Sequence, residues 1–180
     1  MIVHGDKSDE TNTGIAMNAG FSHVGVSTHD MEATIYFYCN VLGCRRVADE
    51  RIEIGKGGVI RQVSIDVGES QYIVFMEAKG VDGISENYDT SINRALGVPP
   101  GMYHFALRIE SLDELMVKTK AIAGYGITVS KITDLGNAKA VFLQDPNGLQ
   151  LELAVKLRDF NESDIGRVSR AEVAKSANPQ

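Results

Sequence analysis

The chain has 180 residues, with apolar and charged fractions that are ordinary for a folded globular protein. This length allows one good-sized domain or two small modules that share a core. A formal net charge of −6, without any basic run, argues against nucleic acid or an anionic membrane as the main partner. We expect no membrane-spanning helix, because the chain lacks an apolar stretch of about eighteen residues.

Residues 1–19 mix Gly, Asn, Thr and Asp without periodicity, which predicts a flexible leader. They lack the charged-then-apolar layout of a signal peptide. Cys39 and Cys44 are the two cysteines of the chain. Two thiols without a secretion signal indicate reduced side chains and a cytoplasmic location.

Residues 20–78 have the pattern of a strand, a helix and three further strands. Phe21–Ser27 alternates in polarity, and Asp30 is a suitable N-cap for a helix that stops at Gly43. Glycine-containing turns separate the next three strands, which are predicted over Cys44–Arg51, Val59–Val67 and Gln71–Ala78. Residues 79–101 then form a long connection, and loops of this length are usually functional or act as linkers.

Residues 102–156 repeat this order of elements. Met102–Ile109 is an alternating strand, and Ser111 begins a capping-box pattern for a helix that Gly124 stops. Three strands follow, predicted over Ile127–Thr133, Ala138–Gln144 and Leu149–Val155. The charged tail over residues 157–180 leaves room for a short helix near Glu162–Ala174.

Three landmarks recur at a single spacing in the two halves. In each pair the second residue lies 81 positions after the first: His23 and His104, Asp30 and Ser111, and Gly43 and Gly124. One βαβββ unit leaves a sheet with an uncovered face and open edges, so each unit is expected to pair with its copy. The apolar strand faces should cover the helices, and the other faces should line one concavity.

The last predicted strand, Leu149–Val155, carries a carboxylate on its polar face. Four apolar residues alternate along it with Gln150, Glu152 and Ala154. A carboxylate in the middle of such a strand is costly unless it has a partner or a metal ion. Glu152 is therefore a candidate ligand, with an exposed position on an edge strand as the alternative.

Three segments of the chain resemble the vicinal oxygen chelate superfamily. They are HVGVSTHDMEATIYFYCNVLG, which opens the first half, HFALRIESLDEL, which opens the second, and the closing DPNGLQLEL. That superfamily includes glyoxalase I, extradiol dioxygenases, epimerases, and fosfomycin- and bleomycin-resistance proteins. The resemblance implies an α+β fold over about residues 20–156. Two tandem βαβββ modules would form a half-open, glyoxalase-like barrel of eight strands around a divalent metal.

The resemblance also implies which residues hold that metal, since the superfamily draws its ligands from the first and last strands of its modules. His23, His104 and Glu152 occupy such positions. Two imidazoles and one carboxylate suit non-haem Fe(II), which we expect here, with Mn(II), Ni(II) or Zn(II) as alternatives. For each histidine alone, a satisfied structural role is the competing interpretation.

A fourth ligand would separate the activities within the superfamily. Glyoxalase I-like members place a Glu on the last strand of the first module, where Glu77 is the candidate. Alignment of that strand with the last one puts Val74 opposite Glu152, and Glu77 then shares a face with Ile73 and Phe75. Only a one-residue bulge would bring Glu77 to the metal. Without it, the ligand set matches extradiol dioxygenases and fosfomycin-modifying enzymes.

Further candidates lie on the same strand faces. Tyr72 points inward on this alternation and is a candidate hydrogen-bond donor in catalysis. Gln62, Ser64 and Phe142 are candidates for substrate binding. Arg108 is a further candidate, for which a salt bridge at the rim is the alternative. Extradiol enzymes usually carry a Tyr where the alignment places Phe142, which counts against ordinary catechol cleavage.

Three functions remain open at this point. The first is a non-haem Fe(II) dioxygenase acting on a small molecule that chelates the metal through neighbouring oxygens. The second is a glyoxalase I-like lyase, isomerase or epimerase, which would need Glu77 at the metal. The third is a small-molecule binding or resistance protein without catalysis. The expected partners are the small molecule and a second copy of the chain in a homodimer. Residues 79–101 are long enough to cover the cavity.

Overall fold

The structure is a computed structural model that describes residues 20–168. The predicted leader over residues 1–19 lies outside the described residues. The same is true of the end of the predicted tail helix, of which the structure describes a 3-10 turn at Glu162–Asp164.

The first module contains one helical segment and four strands. They are β1 (His23–Ser27), α1 (Met31–Ile35) continued by a π-helical turn (Tyr36–Val41), β2 (Arg45–Ile54), β3 (Gly58–Gly68) and β4 (Gln71–Lys79). The helix begins as predicted, because the Asp30 carboxylate accepts a hydrogen bond from the Ala33 N–H at 2.9 Å. Gly43 follows its end with a left-handed φ of +74°, which explains glycine there.

The second module repeats the first, after a short helix in the linker. The elements are α2 (Ile92–Ala95), β5 (His104–Ile109), α3 (Leu112–Gly124), β6 (Thr133–Asp134), β7 (Ala138–Gln144) and β8 (Gln150–Lys156). Ser111 caps α3 as predicted, since its hydroxyl accepts the Glu114 N–H at 3.1 Å.

The strand predicted over Ile127–Thr133 is wrong for most of its length, because regular pairing with β7 is limited to Thr133–Asp134. Ser130 explains the interruption. Its N–H donates to the Phe142 carbonyl at 2.9 Å, but its hydroxyl accepts the Phe142 N–H at 2.9 Å. A side chain thus replaces the carbonyl of a regular ladder, while Ile127 and Val129 still pack against the core.

Both modules have the same sheet topology. The strand orders are β1-β4-β3-β2 and β5-β8-β7-β6, and in each sheet the first and last strands of the module lie side by side and parallel. The remaining pairs are antiparallel. The structure therefore confirms the predicted α+β class, with two βαβββ modules whose eight strands leave the barrel half open.

One core joins the helix-bearing faces of the two sheets. Its most buried large side chains come from the helices and strands of both modules: Tyr38, Ile65, Phe75, Leu115, Leu151 and Leu153. The apolar alternation predicted for the last strand is confirmed, because Leu149, Leu151, Leu153 and Val155 are all buried. Since strand side chains alternate, the opposite sheet faces are directed away from this shared core.

A buried polar junction crosses this core between the modules. The Asp145 carboxylate accepts hydrogen bonds from the Tyr38 hydroxyl at 3.1 Å and from the backbone N–H groups of Asn147 and Leu149 at 2.8 and 2.9 Å. Burial raises the pKa of the Tyr38 phenol well above its usual value, and the neighbouring Asp145 raises it further. The phenol therefore stays protonated, and it fixes the turn that leads into β8.

Removing this hydroxyl should weaken the contact between the modules. We expect Tyr38→Phe to lower the free energy of unfolding by about 1–2 kcal/mol, because the buried carboxylate loses one of its donors. Urea denaturation followed by circular dichroism would measure the change. The matched control is Tyr125→Phe, since that ring is 52% exposed and its loss of a hydroxyl should change stability by less than about 0.5 kcal/mol. Equal stability of the two variants would contradict this role of Tyr38.

Candidate functional site

His104 and Glu152 lie together on neighbouring parallel strands. The distance from His104 Nε2 to the Glu152 carboxylate is 3.2 Å, and Glu152 is only 7% exposed. The β5–β8 register places Ala106 beside Glu152 and His104 beside Gln150, so the two side chains share the sheet face that points away from the core. A carboxylate this buried needs a hydrogen-bond donor or a cation beside it. We call His104 and Glu152 the second-module half-site.

Hydrogen bonding fixes the orientation of the His104 ring. Its Nδ1 lies 2.8 Å from the Gly101 carbonyl oxygen, which can only accept a hydrogen bond. Nδ1 therefore carries a proton, and in the neutral ring the lone pair is on Nε2, which faces Glu152. Metal-bound histidines are commonly held in this way, with the second nitrogen donating to a carbonyl.

His23 lies in a separate cavity on the first module. Its Nδ1 is 3.1 Å from the Ser22 hydroxyl, and the cavity has a volume of about 350 Å³. Its walls come from the face of the sheet opposite the core: Val47, Gln62, Ser64, Tyr72, Val74 and Met76. Tyr72 is the direct neighbour of His23 in the β1–β4 register. We call His23 with this cavity the first-module half-site.

A single chain thus brings together two of the three predicted metal ligands. Within residues 20–168, no three His, Cys, Asp or Glu side chains are close enough to share a metal ion. His23 lines a cavity that neither His104 nor Glu152 reaches. Both half-sites lie on sheet faces directed away from the common core.

The two half-sites occupy equivalent places in the repeat. In β1, Gly25 follows His23 by two residues and pairs with Val74 of β4. In β5, Ala106 follows His104 by two residues and pairs with Glu152 of β8. Val74 therefore stands where the second module has its carboxylate, as the sequence alignment placed it.

Glu77 lies on the other face of β4, with the buried residues Ile73 and Phe75. It is 7% exposed, pairs with Lys79 at 3.2 Å and lies beside Arg61 of β3. The β1–β4 pairing shows no bulge that would turn Glu77 toward His23.

The remaining candidates have contacts of different kinds. Arg108 bonds Glu69 at 2.5 Å and Glu110 at 3.1 Å, which makes it a rim ion pair between the modules. Phe142 pairs with Glu152 across the β7–β8 ladder and lies on the same face as the carboxylate.

A larger cavity lies beside His104, and the sequence did not lead us to predict it. It has a volume of about 630 Å³ and is walled largely by the linker, including α2 and the residues just before β5. The signal in the sequence was a set of apolar residues in an otherwise polar connection: Ile92, Leu96, Met102 and Tyr103.

Comparison with known proteins gives the family of this fold. The family model described as the Glyoxalase/Bleomycin resistance protein/Dioxygenase superfamily matches residues 20–153. The chain belongs to this superfamily. Among the described residues of this superfamily member, no helix combines the length and the apolar character needed to cross a bilayer.

One curated relative is Catechol-2,3-dioxygenase of Bacillus subtilis (strain 168), which is 23% identical over 137 residues. The alignment covers 73% of this chain but only 41% of the relative, so the chain spans about two-fifths of that protein. Its activity as a whole protein therefore does not transfer directly to this superfamily member.

Two solved structures show the same fold at low identity. TnmS3, an antibiotic binding protein from Streptomyces sp. CB03234, has a TM-score of 0.54 at 17% identity, over 79% of this chain and 98% of that one. Lactoylglutathione lyase from Agrobacterium tumefaciens has a TM-score of 0.51 at 16% identity, over 77% of this chain and 94% of that one. A binding protein and an enzyme thus share this glyoxalase-like fold, which by itself does not decide between them.

Proposed function

We propose that this superfamily member is a metal-dependent enzyme acting on a small molecule with two neighbouring oxygen atoms, and that it is a non-haem Fe(II) dioxygenase. His23, His104 and Glu152 would hold the metal. The observation that carries the proposal is the second-module half-site, where a buried carboxylate meets an imidazole with a fixed orientation.

The residues present fit a divalent metal of this type. An Nε2 lone pair next to a buried carboxylate offers one nitrogen and one oxygen ligand on rigid strands. His23 would add a second nitrogen. Two imidazoles and one carboxylate leave open positions, and bound Fe(II) would supply the ability to take up both O2 and a chelating substrate. A reducing cytoplasm, which would also keep Cys39 and Cys44 as thiols, suits this metal.

The proposed ligand set requires two copies of the chain. His23 lies apart from His104 and Glu152 within one chain, and both half-sites face away from the core. In a two-fold symmetric homodimer, the first-module half-site of one copy would meet the second-module half-site of the other. Two identical sites would result, because a two-fold interface is reciprocal.

Other side chains would then have defined roles around the substrate. Tyr72 stands beside His23 and would donate a hydrogen bond to a substrate oxygen. Gln62 and Ser64 would orient the substrate from the floor of the same cavity. Phe142 would pack beside Glu152 and shield it from water, and Arg108 would stabilise the rim through its ion pairs.

A second candidate function, the binding of a small molecule without catalysis, is favoured by a specific observation. A single chain assembles only a His–Glu pair, and this would suffice for a binding protein that encloses a small molecule without catalysis. The glyoxalase-type alternative lacks such support, since Val74 holds the position where that reaction would need a carboxylate as the fourth ligand.

Reconstitution of one anaerobic preparation with Fe(II), Mn(II), Ni(II) or Zn(II) would test the proposal. Each sample is assayed for oxygen uptake with a catechol probe and for conversion of a hemithioacetal. Oxygen uptake with Fe(II) alone is the expected result. Hemithioacetal turnover with Ni(II) or Zn(II) would favour the lyase, and a failure to retain any of the four metals would favour the binding protein.

A further inference from the structure

The linker cavity beside His104 is apolar and is not accounted for by the metal ligands. Its apolar walls come from Ile92 and Leu96 of the linker and from Met102 and Tyr103 just before β5, with Phe105 and Leu149 deeper inside. Residues 25–27 of β1 line its other side. Its volume of about 630 Å³ lies within the range of pockets that hold drug-sized molecules. The His104 ring forms part of its wall, so the cavity opens next to the second-module half-site.

The wall of this cavity is held in place by side-chain hydrogen bonds. Asn93, which is buried, donates to the Tyr103 carbonyl at 2.8 Å and accepts from the Tyr103 N–H at 3.0 Å. Ser91 and Thr90 tie the start of the same segment to the carbonyl groups of Gly148 and Asn147 at 3.0 and 3.1 Å. The wall is therefore attached to α2 and to the turn before β8, and it can recognise a ligand by shape.

Polar groups around the cavity are mostly used within the protein. The Asp89 carboxylate receives two bonds of 2.6 Å from Arg94, and His104 Nδ1 is engaged by the Gly101 carbonyl. Apolar side chains on the wall remain open to solvent instead, since Leu96 is 57% exposed and Met102 is 67% exposed. Apolar side chains that gather around a concave surface mark a binding site for an apolar group.

We infer that the substrate carries a bulky, uncharged apolar group, such as a second fused or attached ring, next to its pair of chelating oxygens. The oxygens would lie at His104 and Glu152, and the apolar group would fill the linker cavity. This inference rests on the proposed function for the position of the oxygens. The occupancy of the cavity itself depends only on its walls.

Two kinds of probe separate these claims. The first is 2-naphthol, which has the apolar rings without a vicinal oxygen pair and is titrated calorimetrically against the metal-free protein. The second is the pair 2,3-dihydroxynaphthalene and catechol, titrated anaerobically against the Mn(II)-loaded protein. We expect 2-naphthol to bind, and dihydroxynaphthalene to bind about tenfold more tightly than catechol, because the extra ring is buried.

Leu96→Gln and Met102→Gln test the wall without touching the metal ligands. Each should weaken binding of 2-naphthol about fivefold and reduce the preference for the bicyclic diol. Val117→Gln is the matched control, since Val117 is 70% exposed on α3 and does not line the cavity. Because these side chains are on the surface, all three variants should fold, which a thermal melt would verify.

Loss of metal binding with retained 2-naphthol binding would reject the proposed function and leave the apolar site intact. Absent 2-naphthol binding, equal affinity for the two diols, or variants that bind like the Val117→Gln control would overturn the inference. If Leu96→Gln dissociates a dimer in sedimentation without changing naphthol affinity, the cavity is a subunit contact, and the inference is equally overturned.

Discussion

Glu152→Gln should abolish stable metal binding, while Glu77→Gln should leave it unchanged. Both carboxylates are 7% exposed, and each lies on the last strand of its module, but only Glu152 faces an imidazole. The amide keeps the size of the side chain and removes the anionic ligand. We expect the dissociation constant for Mn(II) or Fe(II) to rise about 1000-fold, beyond the 10–100-fold typical of outer-shell changes.

The measurement is metal content after dialysis, together with calorimetric titration of the metal-free protein. Glu77 controls for the loss of a buried charge, because its ion pair with Lys79 is unrelated to His104. Both variants are compared by thermal melting, so that unfolding is separated from ligand loss. A Glu77→Gln protein with the same metal defect as Glu152→Gln would show that the proposed ligand set is incorrect.

Mixing two inactive variants should restore one metal site per dimer. His23→Ala removes a ligand from the first-module half-site, and Glu152→Ala removes one from the second-module half-site. In a dimer that contains one chain of each variant, one of the two sites combines the intact His23 of one copy with the intact His104 and Glu152 of the other. The second site carries both substitutions.

Co-expression with two different affinity tags isolates this mixed dimer. We expect about one metal ion per mixed dimer, about two for the wild type and essentially none for either variant alone, as two-fold symmetry requires. A mixed dimer without metal would show that each chain builds its own site, because every chain would then carry one defect. A monomeric wild-type protein would also reject the shared site.

Local features of the fold were readable from the sequence because they depend on neighbouring residues. The cap at Asp30, the left-handed Gly43 and the alternation along Leu149–Val155 each follow from short-range geometry, and the structure reproduces them. The prediction of a strand over Ile127–Thr133 was wrong for the opposite reason. Its alternation is real, but whether a strand forms depends on the partner ladder, where the Ser130 hydroxyl intervenes.

The mutual arrangement of the modules was beyond the reach of the sequence pattern. Alternation predicts that His23 and Ile73 lie on opposite faces of their sheet. The repeat predicts the same separation of polar and apolar side chains in the second module. The prediction that these faces line one concavity does not hold within a single chain, because the helix-bearing faces share the core and His23 lines a cavity that His104 and Glu152 do not reach. The hydrogen bond from Tyr38 to Asp145, which links residues far apart in the chain, is one of the contacts that join the modules in this arrangement.

The position of Val74 has a consequence for how the proposed metal site could change by mutation. Every valine codon becomes a glutamate or an aspartate codon by one base change, so a single mutation could place a second carboxylate at the position equivalent to Glu152. In the proposed shared site, that substitution would turn a set of three protein ligands into a set of four.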